Sequence, residues 1–239
     1  LDESGQSPVQ VIATSGMNIP NETGKVFGST APPSAAGGMA VFTGLDNEES
    51  PTAGGIYLAP LLPNPTLTPL VDFNTVVPGL EEEMLFNRFG EGLSFDGHYV
   101  GFWGAWGDQT KEVRLTCRSD GNAAVIDFCN DNLPDVGYYS FDVPFHQGIF
   151  LADITRPDNN LFMLAQTGNE SGIDDFLYWN FSGRPPGVGE DGDEGEDFEE
   201  PRWRSSAFVA VDGTNAVFKA QLQNGVDALI GSLGLGNPL

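Results

Sequence analysis

Positive charge is what this sequence has least of. Of its 239 residues only 10 are Lys or Arg, against 34 Asp or Glu, and the formal net charge is −24. Lys25, Lys111 and Lys219 are the only lysines. Affinity for nucleic acid comes mainly from Lys and Arg displacing counterions from phosphates, and anionic headgroups draw on the same side chains. The balance excludes nucleic acid and anionic membrane surfaces as partners. It leaves cations, basic proteins or plain solubility as what the field favours. Long apolar runs are missing too: no stretch approaches the roughly 18 residues of a membrane-spanning helix, so no membrane insertion is expected. His98 and His146 are the only histidines. They are far apart, so neither Ser-His-Asp chemistry nor a clustered zinc site is signalled. Both read as hydrogen-bonded or solvated turn positions, His98 beside Asp96-Gly97 and His146 just before Gly148. A P-loop and a dinucleotide fingerprint are lacking, and no organic or nucleotide cofactor is expected.

Cysteine is nearly absent. Cys117 and Cys129 are expected to form a disulfide that pins an insertion, and closing so short a loop contributes about 3 kcal/mol by chain entropy. The opening Leu1-Asp-Glu-Ser-Gly5 has neither a basic region nor an apolar core, so the chain reads as already processed. Asn-x-Ser/Thr sequons stand at Asn21, Asn169 and Asn180. With the disulfide they point to an exported, extracellular or cell-surface glycoprotein.

Turn-formers are abundant instead, with 31 Gly and 17 Pro separating short runs rich in Phe and Val. That texture predicts many short strands, and the length fits one large domain or a short array of repeats. Three segments place a Phe five residues after a Gly: Gly37 to Phe42, Gly97 to Phe102 and Gly213 to Phe218. An aromatic precedes each, Phe27, Phe89 and Trp203. A second marker follows as Gly55-Ile-Tyr-Leu-Ala59 and Gly148-Ile-Phe-Leu-Ala152, with a decayed copy at Gly225-Val-Asp-Ala-Leu229. A third lies upstream: Val11 to Gly16, Leu70 to Thr75 and Met163 to Gly168.

Repetition at this period predicts an all-β chain of three four-stranded antiparallel units, at roughly 9–61, 67–154 and 161–235. Each unit begins with the upstream strand, and a Gly-Gly or Asp-Gly hairpin turn joins its second strand to its third. The architecture is β-propeller-like, with a stacked β-repeat or a β-sandwich as alternatives. Three units are few for a closed ring, so contacts with further chains are expected, and Val9–Ala13 is positioned to pair near Ala228–Leu233 and hide a bare edge. At these markers the sequence resembles uncharacterised tandem-repeat proteins of bacterial and algal surfaces, which carry a Phe-ending strand and then Gly-Ile-Tyr. The resemblance implies an exported repeat architecture and brings no catalytic residues.

Two constellations carry possible chemistry. Glycosidases need two carboxylates with room for a sugar between them. Asp174-Asp175 beside Tyr178-Trp179, or Asp96 with Trp103 and Trp106, would supply carboxylates and aromatic stacking, while the favoured reading of Trp103, Trp106, Trp179 and Trp203 is that they fill cores or contacts between units. The run 187–200 is the richest feature. Glu190, Asp191, Asp193, Glu194, Glu196 and Asp197 resemble a calcium loop, but Gly195 stands where an EF-hand needs its third ligand, so a solvated acidic loop is the default. Strand order also gathers the acidic connections of all three units at one end, away from the glycine turns, which makes calcium the expected cation. The function expected is a noncatalytic extracellular structural, adhesion or surface-assembly protein that self-associates or binds another extracellular protein or glycan. The alternative is a secreted carbohydrate-active hydrolase or glycan-binding protein.

Overall fold

A computed structural model describes residues 10–47, 50–116, 130, 137–156, 160–168, 170–176, 208–225 and 227–232. Every element bounded there is a strand, and every pairing is antiparallel. The chain is all-β, as the glycine-punctuated runs predicted. The first sheet contains β1 (Ser29–Thr30), β2 (Ser34–Ala36), β3 (Met39–Leu45), β4 (Gly54–Pro60) and β5 (Thr68–Asp72). The second contains β6 (Phe86–Phe95), β7 (Tyr99–Thr116), β8 (Tyr138–Asp153) and β9 (Leu161–Gln166). The third contains β10 (Ile173–Phe176), β11 (Val209–Asp212), β12 (Asn215–Leu222) and β13 (Asp227–Ser232).

The three sheets repeat one plan. The Phe-ending strand (β3, β7, β12) is central and pairs on one side with the next strand (β4, β8, β13). Its other side carries an outer strand that is continuous only in the second sheet, where β6 bulges between Phe89 and Leu93. In the first sheet that edge is split into β1 and β2, with Pro32 and Pro33 in the gap. Proline has no N–H to give the ladder. In the third sheet β10 and β11 share the edge of β12.

Register corrects three details. Phe42 faces Tyr57, Phe102 faces Phe150, and Phe218 faces Ile230. The third copy of Gly-Ile-Tyr-Leu-Ala is therefore Ala228 to Ser232, three residues later than expected. Gly225 belongs to the hairpin turn, with φ +79° and its N–H donating to the Leu222 carbonyl at 2.8 Å. The aromatic equivalent to Phe27 is Phe86 rather than Phe89. Each lies over a glycine, where a Cβ on Gly44 would come 2.6 Å from Phe27 and one on Gly104 2.8 Å from Phe86. Trp203 lies outside the described residues. Finally, the upstream strand completes the preceding sheet: β5 pairs with β4, and β9 with β8. Sheet boundaries thus run one strand later than the sequence units.

The sheets pack face against face with the second in the middle. Alternate residues of a strand point to opposite faces, and both faces of the second sheet are buried. Val100, Phe102, Trp106, Phe150 and Ala152 meet Val41, Ile56 and Val71 of the first sheet. Trp103, Ala105 and Ile149 meet Ile173, Phe176, Phe218 and Ala220 of the third. The outer face of the first sheet, at Phe42 and Tyr57, is covered by Phe27, Ile19, Met17, Ala13 and Ile12. No core cluster among the described residues joins the third sheet to the first.

Candidate functional site

The glycine hairpin turns converge at one end of the stack. Gly37 and Gly97 approach each other so closely that a Cβ on Gly37 would lie 3.7 Å from the Gly97 Cα. Asp96, on the next turn, accepts from the N–H groups of His98 (2.8 Å) and Tyr99 (2.7 Å) and, across to the third sheet, from that of Gly213 (2.6 Å). One carboxylate thus shapes its own hairpin and ties the second sheet to the third. The Asp-Gly signal located the turn, but nothing in the sequence indicated that its aspartate would cap a neighbour.

Beside it lies a cluster of His98, Asp153, Thr155 and Arg156. The His98 Nε2 is 2.9 Å from Asp153 Oδ1 and 3.1 Å from Thr155 Oγ1. The Thr155 hydroxyl and N–H both donate to the same Asp153 oxygen, at 2.6 and 2.9 Å, and Arg156 Nε sits 3.1 Å from Oδ2. A nucleophilic relay needs the hydroxyl to donate to a ring nitrogen whose opposite nitrogen is held by the carboxylate. Here one nitrogen faces both groups and the hydroxyl is committed to the carboxylate. The arrangement clamps the end of β8. Sequence reasoning passed over Asp153, Thr155 and Arg156, although Asp-x-Thr after a strand is a recognisable side-chain-capped turn.

Asp46 does similar work at the opposite end, in the β3–β4 connection. It accepts from the Thr52 N–H (2.8 Å), the Ala53 N–H (3.0 Å), the Thr52 hydroxyl (2.6 Å) and Lys25 Nζ (3.1 Å). Burial alone would raise the carboxyls of Asp46, Asp96 and Asp153. The donors outweigh burial: Thr52, Ala53 and Lys25 for Asp46; Tyr99, His98 and Gly213 for Asp96; Thr155 and His98 for Asp153. All three are held below the usual carboxylate range.

The carboxylate–aromatic constellations do not converge. Trp103 and Trp106 are buried on opposite faces of β7, in the two layers between sheets, with Trp103 Nε1 donating to Gln147 Oε1 at 3.3 Å. Asp96 is at the turn, apart from both. Asp174 is exposed and paired with Lys111 at 3.1 Å, whereas its neighbour Asp175 is buried, so the two carboxylates do not share a face. His146 is not at a turn but within β8, stacked on Trp106 at 5.9 Å between ring centroids.

The calcium candidates Glu190, Asp191, Asp193, Glu194, Glu196 and Asp197 lie outside the described residues. So do Cys117, Cys129, Asn169, Asn180, Tyr178 and Trp179. Asn21 is described: it is exposed, with a left-handed φ of 64°, in the loop between Ile19 and Lys25. Among the described residues no group of three or more His, Cys, Asp or Glu is gathered to hold a metal. No protein-family model, curated protein or solved structure matches the chain.

Proposed function

We propose that this chain is a noncatalytic structural module of an extracellular surface that works by self-association. The observation that carries this reading is the two-sided burial of the second sheet. A sheet whose both faces receive other sheets is the internal unit of an array, and arrays of this kind extend by adding units rather than by enclosing a site. Among the described residues, Asp46, Asp96, His98 and Asp153 are engaged in holding turns. The carbohydrate-active alternative has less support, because Trp103 and Trp106 fill inter-sheet layers. Export is favoured by the acidic composition and the sequons at Asn21, Asn169 and Asn180, and it would permit the disulfide expected between Cys117 and Cys129. Calcium at Glu190–Asp197 would neutralise part of the charge and favour association. Light scattering of the purified chain, with and without millimolar calcium, tests the reading: it predicts a mass above the monomer. A glycan array tests the alternative, which predicts saturable sugar binding by the monomer.

A further inference from the structure

Among the described residues the third sheet lacks two things that its predecessors have. The first is a cover on its far face. Ile56 in β4 and Ile149 in β8 occupy the same register position and are 1% and 0% exposed, each packed against the sheet that follows. Their equivalent in β13 is Leu229, which is 77% exposed. Likewise Val41 is 0% exposed, while its equivalent Val217 is 40% exposed. The second missing part is a fourth strand. β5 lines the edge of β4 and β9 lines that of β8, but among the described residues nothing pairs with the outer edge of β13.

Among the described residues one segment holds the position of such a strand without pairing as one. The segment entering the first sheet repeats the hydrogen bonds of the segment entering the second. Met17 N–H donates to the Thr14 carbonyl as Thr75 does to Asp72, at 3.2 and 3.0 Å. Ile19 donates to Lys25 as Val77 does to Met84, at 3.0 and 2.8 Å, and Phe27 to Met17 as Phe86 does to Thr75, at 2.9 and 3.3 Å. The isolated bridges Asn18–Val26 and Val76–Leu85 close the same loop in both. Gln10–Thr14 is therefore the counterpart of β5. Yet these residues pair with no strand among those described, and Val11 is 68% exposed. Ile12 and Ala13 rest on the outer face of the first sheet, the far side of the second sheet from β13.

We propose that Gln10–Thr14 of a second copy of this chain adds to the edge of β13, and that the first sheet of that copy covers Leu229 and Val217. β5 links the first sheet to the second in this manner, pairing with one sheet and leading into the sheet stacked upon it; β9 does the same for the third. Between copies the contact is head-to-tail, so it leaves a free β13 at one end and a free Gln10–Thr14 at the other and continues as a filament. Transferring the β4–β5 ladder sets the register: Thr14 opposite Ala228, Ala13 opposite Leu229, Val11 opposite Ile230 and Gln10 opposite Gly231.

This rests on the self-association proposed above, and the test separates the two. Full-length Thr14→Cys and full-length Ala228→Cys chains are mixed under mild oxidation, beside each alone and the unsubstituted chain, while light scattering reports mass. Directly opposed strand residues are close enough for a disulfide. The expected result is a covalent heterodimer in the mixture only, and loss of both assembly and cross-link in Leu229→Asp, whose exposed site leaves the melting temperature of the dilute, unassembled chain unchanged. Assembly without the cross-link would overturn the site and leave self-association standing. A monomer throughout would remove both. A disulfide closed inside a monomeric Thr14→Cys/Ala228→Cys chain would also overturn the proposal, by placing the strand on its own β13.

Discussion

Gly101 lies directly under Val209 and Val211 of the third sheet, and it gives the packing of the sheets a quantitative test. A Cβ there would strike Val211 Cγ1 and lie 3.1 Å from Val209 Cγ2. Valine is stiff at χ1, so neither side chain swings away freely. Inserting one methyl into such a contact costs about 1–3 kcal/mol. Val211→Ala removes two methyls from a half-buried site, at a cost of at most about 1.6 kcal/mol. In that background the severe contact is gone and only Val209 Cγ2, at 3.1 Å, still has to yield a few tenths of an ångström, which the usual advantage of Ala over Gly in a strand, about 0.5–1 kcal/mol, offsets. The expected cycle is a destabilising single Gly101→Ala, a destabilising single Val211→Ala, and a double variant no worse than Val211→Ala alone. The coupling is then on the order of 1–3 kcal/mol. Urea unfolding followed by tryptophan fluorescence reads it, as do melts, in which each kcal/mol moves the midpoint by about 2–4 °C at this length. Additive effects would mean that β11 does not pack over Gly101, and the three-sheet stack would be wrong there.

Gly44→Ala and Gly104→Ala should each destabilise by about 1–3 kcal/mol, because Phe27 and Phe86 occupy the space of the new Cβ; melts at matched concentration check this, and Gly24→Ala is no fair control since its φ is +76°. Asp153→Asn should lose stability at neutral pH and lose progressively less as the pH falls. The folded carboxyl is depressed, so its contribution is complete above the unfolded value of about 3.9 and vanishes as pH drops through the folded value; unfolding free energies of parent and variant that stay parallel from neutral to strongly acid pH would refute it. Calorimetry with calcium should give heat that disappears in a chain lacking 187–200, and undiminished heat would move the cation site elsewhere. Denaturing thiol titration should find no free thiol if Cys117 and Cys129 are joined.

Much of the fold was legible because the repeat is written in residues that backbone geometry constrains. Gly97 and Gly213 take positive φ at hairpin turns (+105° and +59°), and Gly37 and Gly38 do the same (+58° and +79°), so the turns stood out. Phe42, Phe102 and Phe218 fill equivalent core positions and marked the central strands. The fourth strand was assigned to the wrong sheet because hydrophobic pattern records which residues are buried, not which edge a strand joins. β5 and β9 look the same in sequence whether they open one sheet or close the previous one. The third Gly-Ile copy is hard to place because Ala228 stands where the other copies have their leading glycine, while Gly225 is a glycine for a different reason, the hairpin turn. The polar clusters were the least legible. His98, Asp153 and Thr155 meet through a register set by many pairs along β7 and β8, and no local spacing brings a residue at 98 to one at 153.

Sedimentation across a wide concentration range tests the central claim most directly. If the chain is a module that extends by stacking sheets, the mass will rise with concentration from the 25.5 kDa monomer without settling at a closed number of copies. A single 25.5 kDa species from the lowest to the highest concentration, with or without calcium, would contradict it.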